Sequence, residues 1–219
     1  MRRKTVLLLA VFCLYFPVFL LSAVAEDLSA ERLSAVSARM AGIRTVQADF
    51  VQEKRMRVFS SPVTLRGRLF LDKPELFSWH VFSPVRYSIV MRRDTLRLWD
   101  GQAGTTRTIG FREHPVVGVV FEQLKRWFCG DYAGLSADYA ISVVREAPLT
   151  LFCVPHEGTP QAGMITGVQV QFQEDRRYIE RITINEPGGD TTTIDFVGTR
   201  LNEPVPPEAW RVRVSVEDE

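Results

Sequence analysis

Residues 63–99, VTLRGRLFLDKPELFSWHVFSPVRYSIVMRRDTLRLW, restrict the fold more than any other stretch of the chain. Leu65, Leu69 and Leu71 stand on one face of the first run, with Gly67 between them, and Thr64, Arg66, Arg68 and Asp72 stand on the other. Phe77, Trp79 and Val81 alternate in the next run, then Tyr87, Ile89 and Met91, then Leu96 and Leu98. A period of two is that of antiparallel strands with one apolar face and one wet face. The period breaks at Pro74, Pro84 and Asp94, residue types that favour turns. The stretch therefore reads as a meander of short strands presenting a concave apolar surface.

The flanking segments extend that sheet. Leu28–Ala41 is expected to be a helix, capped by Ser29, with Leu33, Val36 and Met40 as its apolar stripe and Gly42 as its stop. Thr45–Phe59 is a first strand whose polar second half suits a sheet edge or rim. Gly101–Gly110 is polar and Thr-rich, a short hairpin strand. From Val116 to Phe128 the period changes: Val117, Val120, Phe121, Leu124, Trp127 and Phe128 recur at helical spacing. This helix is either one more element packed on the sheet or a lid over its concave face. Further strands follow at Tyr139–Arg145, Leu149–Val154, Ile165–Phe172, Tyr178–Asn185 and Thr191–Val197, with turns at Glu174–Arg177 and Pro187–Asp190. A proline-rich exit, Asn202–Pro207, leads to Trp210 and Val212, which fasten the tail. The fold class is mainly β (α+β): a strongly curved antiparallel sheet forming an incomplete, half-open barrel with a helical lid.

The N-terminus carries a different message. Arg2, Arg3 and Lys4 precede an apolar run from Val6 to Leu21, and Ala23-Val24-Ala25 follows. A basic start, an apolar middle and an A-x-A site make a secretory signal peptide, cleaved after Ala25. The run is short for a membrane span and contains Pro17. Cys13 lies deep in that run, not at its end where a lipid-anchored Cys would stand, so the chain is expected to be soluble after export. Residues 26–219 then form a single domain with ample core. Cleavage removes three of the 27 basic residues and no acidic one, leaving 24 against 26. With no basic block, nucleic acid is a poor partner.

Catalytic and metal signatures are missing. There is no G-x-S-x-G, H-E-x-x-H, P-loop or G-x-G-x-x-G, and His80, His114 and His156 are scattered with no C-x-x-C. Ser78 and His80 form the one nucleophile–base pair near the sheet, and they share the face opposite Trp79. No cofactor and no enzyme activity are expected. Cys129 and Cys153 permit either a disulfide, worth about 3 kcal/mol in the chain-entropy model, or two separately buried thiols behind Phe128 and Phe152.

At this point the residues carry a family resemblance. Ala48-Asp49-Phe50-Val51-Gln52 resembles the first-strand D-F-T-Q pattern of the periplasmic lipoprotein carriers of the LolA type. Gly67-Arg68-Leu69 through Lys73-Pro74-Glu75-Leu76-Phe77-Ser78-Trp79 resembles their G-x-L…R-P-x-L-F-x-W segment, and Leu96-Arg97-Leu98-Trp99 their strand ending in LW. Leu149-Thr150-Leu151 before Pro155 is similar to their L-T-L-x-P, and Ile182 to Phe196 to their penultimate hairpin. The pieces stand in the right order over most of the chain.

The resemblance implies a half-barrel that holds acyl chains of lipoproteins or other lipids in transit to the outer membrane. Its partners would be an inner-membrane releasing complex and an outer-membrane acceptor, and the carrier itself would be a monomer. Phe50, Leu69, Leu71, Trp79, Leu96 and Leu98 match the apolar wall, to which the alternation adds Phe77 and Ile89; Val117, Val120, Phe121 and Leu124 form the lid. Lys73 stands where the carriers have an Arg implicated in holding the lid closed, and a lysine lacks the planar bidentate fork. Arg92-Arg93-Asp94-Thr95 departs from the Asp-Gly turn common there. These departures suggest a divergent branch, and a second reading stays open: a periplasmic lipid-binding sensor on the same fold that does not shuttle.

Overall fold

The computed structural model describes residues 31–212; the expected signal peptide, its expected cleavage site and Ser29 at the expected helix cap lie outside them. Residues 31–41 are helical (α1) and lead into β1 (Thr45–Arg55), β2 (Val63–Asp72), β3 (Leu76–Ser83), β4 (Tyr87–Arg92), β5 (Thr95–Asp100) and β6 (Thr105–Gly110). Two helices follow, α2 (Pro115–Cys129) and the single turn α3 (Tyr132–Leu135). The chain returns through β7 (Tyr139–Glu146), β8 (Leu149–Pro155), β9 (Gly167–Phe172), β10 (Ile179–Asn185) and β11 (Thr191–Leu201). Short 3-10 turns sit at Pro160–Gly163 and Pro207–Trp210.

All eleven strands join one antiparallel sheet in the order β6-β5-β4-β3-β2-β1-β11-β10-β9-β8-β7. Two meanders meet where β1 pairs with β11. The curved sheet is not closed, so β6 and β7 are its opposite edges. The chain passes from one edge to the other through α2 and α3. Any such connection must cross a face of the sheet. The apolar stripe of α2 decides which face: it lies over the concave one, where Trp127 and Phe128 join the same core as Phe77, Trp79 and Phe196.

One glycine shapes that concave face. Gly67 pairs with Phe50 at a point where the β2–β3 register shifts, and the Phe50 ring occupies the space a side chain would fill. A Cβ on Gly67 would collide with both the Phe50 ring and the His80 carbonyl oxygen. The bare backbone lets Phe50 lie flat and stack on Trp79, with ring centroids 3.8 Å apart.

The outer face differs from the wet surface that alternation suggests. Gln47, Phe70, Ser78, His80, Ser88 and Val90 are all buried there. The cause is the tail, which crosses β1 to β4 and buries Ala209 and Val212 against them. Gln47 Nε2 donates to the Pro204 carbonyl at 3.0 Å, His80 Nε2 to Ala209 O at 2.9 Å, and the Ser88 hydroxyl to Val212 O. Because a carbonyl only accepts, His80 carries its proton on Nε2, and the bare Nδ1 is buried without a partner.

Burial, reinforced by the nearby Arg68 guanidinium and opposed by the Ala209 hydrogen bond, holds the His80 pKa below its ordinary 6.5. The unfolded chain therefore binds more protons than the folded one once pH falls below that value, and stability falls with it. A thermal melt series from pH 7.5 down to 5.5 should show the wild-type midpoint dropping more than that of His80→Gln. Parallel pH profiles for the two proteins would refute this account of the tail.

Candidate functional site

Between the concave face and α2 lies a cavity of about 510 Å³, well inside the usual range of ligand pockets. Its floor is Gln52, Phe77, Trp79, Tyr87 and Ile89 from one meander, with Val168, Ile182, Ile184 and Ile194 from the other. Its roof is Phe121, Gln123, Leu124, Trp127 and Phe128 of α2. Pro160, Gln161, Met164 and Ile165, in the β8–β9 connection, form one lip. None of these eighteen side chains is charged. A cavity so lined has no means of stabilising a buried charge and favours hydrocarbon.

The expected wall residues divide by depth. Phe77, Trp79 and Ile89 line the floor, and Phe121 and Leu124 the roof. Phe50, Leu69 and Leu71 share the concave face but lie under the rings, fully buried in the core and off the cavity surface. The large rings are their neighbours: Trp79 pairs with Leu69 and stacks on Phe50, and Phe77 pairs with Leu71. Leu96 is buried and Leu98 half-buried, and neither lines the cavity. Val117 is half-buried, and the Val120 side chain lies outside the described set.

Sequence reasoning missed the half of the site supplied by β9, β10 and β11. The signal was there in the alternation of Ile182 with Ile184 and in Ile194. What ties them to Gln52 is the β1–β11 pairing, Gln52 opposite Ile194 and Ile194 opposite Ile182.

The C-terminus of α2 is fully accounted for. Gly130, at φ 81°, caps it in the left-handed conformation, and its N–H reaches Arg126 O and Trp127 O. Phe128 O accepts from the Tyr178 hydroxyl at 3.0 Å. Cys129 O accepts from Lys73 Nζ at 2.9 Å, and the same ammonium donates to Met40 O at 2.8 Å in the last turn of α1. One cation thus sits at the negative ends of two helix dipoles. Two separate carbonyls ask for two donors in different directions, which an ammonium supplies as well as a guanidinium fork. Lys73 therefore ties the C-terminal ends of α1 and α2 together despite the departure from Arg. Burial lowers its pKa from the usual 10.5, an effect the neighbouring Cys129 opposes. The other end of α2 is plainer: His114 provides no side-chain cap and the first turn has no acidic residue.

Cys129 and Cys153 are free thiols, which sets aside the disulfide. Cys153 is sealed in the core, where burial pushes its pKa up to about 12, while Cys129 ends α2 beside Lys73. Each packs as a small apolar side chain. Ser78 and His80 are on the outer face beneath the tail, with His80 Nε2 committed to Ala209 O.

Residues 41–213 match the sequence profile described as outer membrane lipoprotein carrier protein LolA. The chain belongs to the LolA family. Among curated LolA relatives it is 22% identical over 193 residues to the outer-membrane lipoprotein carrier protein of Pseudomonas putida (strain W619), covering 87% of this chain and 85% of that one. Among solved structures, an uncharacterized conserved protein from Thermus thermophilus superposes with a TM-score of 0.51 at 10% identity, covering 86% of this chain and 95% of that one. A chain of the Pseudomonas aeruginosa MucA/MucB complex gives 0.51 at 12% identity, covering 82% of this chain and 59% of that one. At these identities the structural matches establish the shared fold. No helix among the described residues is long and apolar enough to cross a membrane.

Proposed function

We propose that this LolA-family protein is a soluble periplasmic carrier, exported by its N-terminal signal and cleaved after Ala25. It holds acyl chains of lipoproteins or other lipids under α2 and passes them toward the outer membrane. The observation that carries this reading is the cavity of about 510 Å³ with no charged side chain in its lining. The expected affinity also suits a carrier. Burying about ten methylenes at ~0.8 kcal/mol each gives roughly 8 kcal/mol before ordering costs, near micromolar. That strength shields a chain from water and still releases it. The lining reaches the surface at Met164, which supports entry and exit there, away from the α2 end tied by Lys73. The releasing complex and outer-membrane acceptor belong to this reading through the family. Nothing in the site calls for catalysis.

The test is mass spectrometry of organic extracts of the protein purified from its native periplasm, followed by transfer to acceptor vesicles. Near-stoichiometric lipid or lipoprotein that moves to the acceptor supports the carrier. Lipid that binds and does not move would replace the carrier with a lipid sensor, and extracts of folded protein without lipid would end both.

A further inference from the structure

Seven large apolar side chains are exposed among the described residues, and five of them, Val58, Phe59, Val63, Val154 and Met164, lie at one end of the sheet. The register shows why they meet. Lys54 pairs with Val63 on one side and Thr192 on the other, Thr192 with Ile184, and Ile184 with Val168, at the start of β9. One row therefore runs from the β1–β2 hairpin to the connection that carries Met164.

The cavity approaches that same end. Gln52, one concave position inward from Lys54, lines it, as do Ile184 and Val168 on the row itself. Met164 belongs to the lining and is still 52% exposed, so the apolar interior continues to the surface there. Beyond the row, the hairpin tip is turned back by a Phe59 N–H to Met56 O bond of 3.0 Å, leaving Val58 82% and Phe59 61% exposed.

We propose that this tip, residues 56–62, docks the molecule on a lipid bilayer, with Val58 and Phe59 inserted at the interface beside the cavity mouth. The purpose of the docking rests on the lipid-carrier reading above. The charges around the tip select the kind of bilayer. Lys54 is paired with Glu186 at 2.9 Å and Arg55 with Glu53 at 3.4 Å. The Arg57 backbone N–H bonds the Asp190 carboxylate at 3.0 Å and its guanidinium bonds Gly188 O at 3.1 Å. Two of the three cations are ion-paired and the third, Arg57, bonds a carbonyl beside Asp190, so these segments carry no net charge to draw the tip to an anionic membrane. Its attraction is apolar insertion into a zwitterionic surface, insensitive to salt.

The experiment uses the processed protein recovered from the periplasm, floated with phosphatidylcholine vesicles at low and high salt. A pyrene-labelled diacylglycerol reports separately on the cavity. Wild type should float equally at both salts, and Val58→Ser/Phe59→Ser should cut the bound fraction about tenfold with pyrene-probe affinity unchanged. Val197→Ser, an exposed apolar side chain on β11 away from the tip, should float like wild type. Wild type that stays in solution, as it would if the tip seats a protein, overturns the proposal. So does flotation that the double variant retains, or that appears only with anionic vesicles at low salt. Failure of the pyrene probe alone would strike the carrier reading and leave the docking result standing.

Discussion

Replacing Lys73 with methionine is expected to lower stability by about 2–4 kcal/mol, because hydrogen bonds from a charged donor are worth about 1.5–3 kcal/mol each and two are lost. The methionine keeps the stem's packing volume, so the loss isolates the ammonium. Its removal leaves Met40 O and Cys129 O at two helix ends without their shared donor, and withdraws a cation from two dipoles. The cost of burying the ammonium, visible in its lowered pKa, is recovered, which keeps the figure below the sum of the two bonds. For a domain of this size the midpoint should drop by roughly 4–16 °C, at about 2–4 °C per kcal/mol. Hydrogen exchange should quicken first in the last turn of α2. Lys73→Arg should retain most of the stability if its fork reaches both carbonyls. A methionine variant melting within a degree of wild type would mean that Gly130 and Tyr178 hold α2 unaided.

The Lys73 bridge between two helix ends shows what a sequence does and does not carry. Lys73 could be singled out by its place in a motif, but the two carbonyls it serves come from helices 33 and 56 residues away, and no local pattern records that meeting. The strands were legible because alternation is local: Phe77, Trp79 and Ile89 read correctly as concave. Depth was not, since period two assigns a face and is silent on how large rings overlay smaller neighbours. Phe50, Leu69 and Leu71 therefore share the cavity's side without touching it. The outer face was misread for the opposite reason. Ser78 and His80 look solvent-facing in their strand, and only the tail, 129 residues beyond His80 at Ala209, covers them. The C-terminal half of the cavity depended on a pairing across the whole chain, Gln52 with Ile194. The cysteines, read evenly as a bridge or two thiols, needed the fold to separate them.

The cavity makes the sharper demand on experiment. Ile89→Glu is expected to weaken binding of the pyrene-labelled diacylglycerol at pH 8 by about 100-fold or more, because a carboxylate dehydrated against hydrocarbon costs several kcal/mol and each 1.4 kcal/mol is tenfold. Ile89 is suited to the test. It is half-buried, lines the cavity floor and pairs with Trp79 and Leu98, so the empty cavity leaves room for the new side chain to be hydrated and the fold to persist. Burial favours the neutral acid, raising the introduced carboxyl above its usual value of about 4.3. Affinity should thus recover as pH falls from 8 toward 5 and the group takes up its proton. Ile89→Gln, of equal length and uncharged, should lose less and show no such recovery. If Ile89→Glu binds the pyrene-labelled diacylglycerol like wild type at every pH, the acyl chain does not run beneath α2 past Ile89. The lipid would then have to sit at the lip formed by Met164 and Ile165, with the deep cavity serving only as packing space.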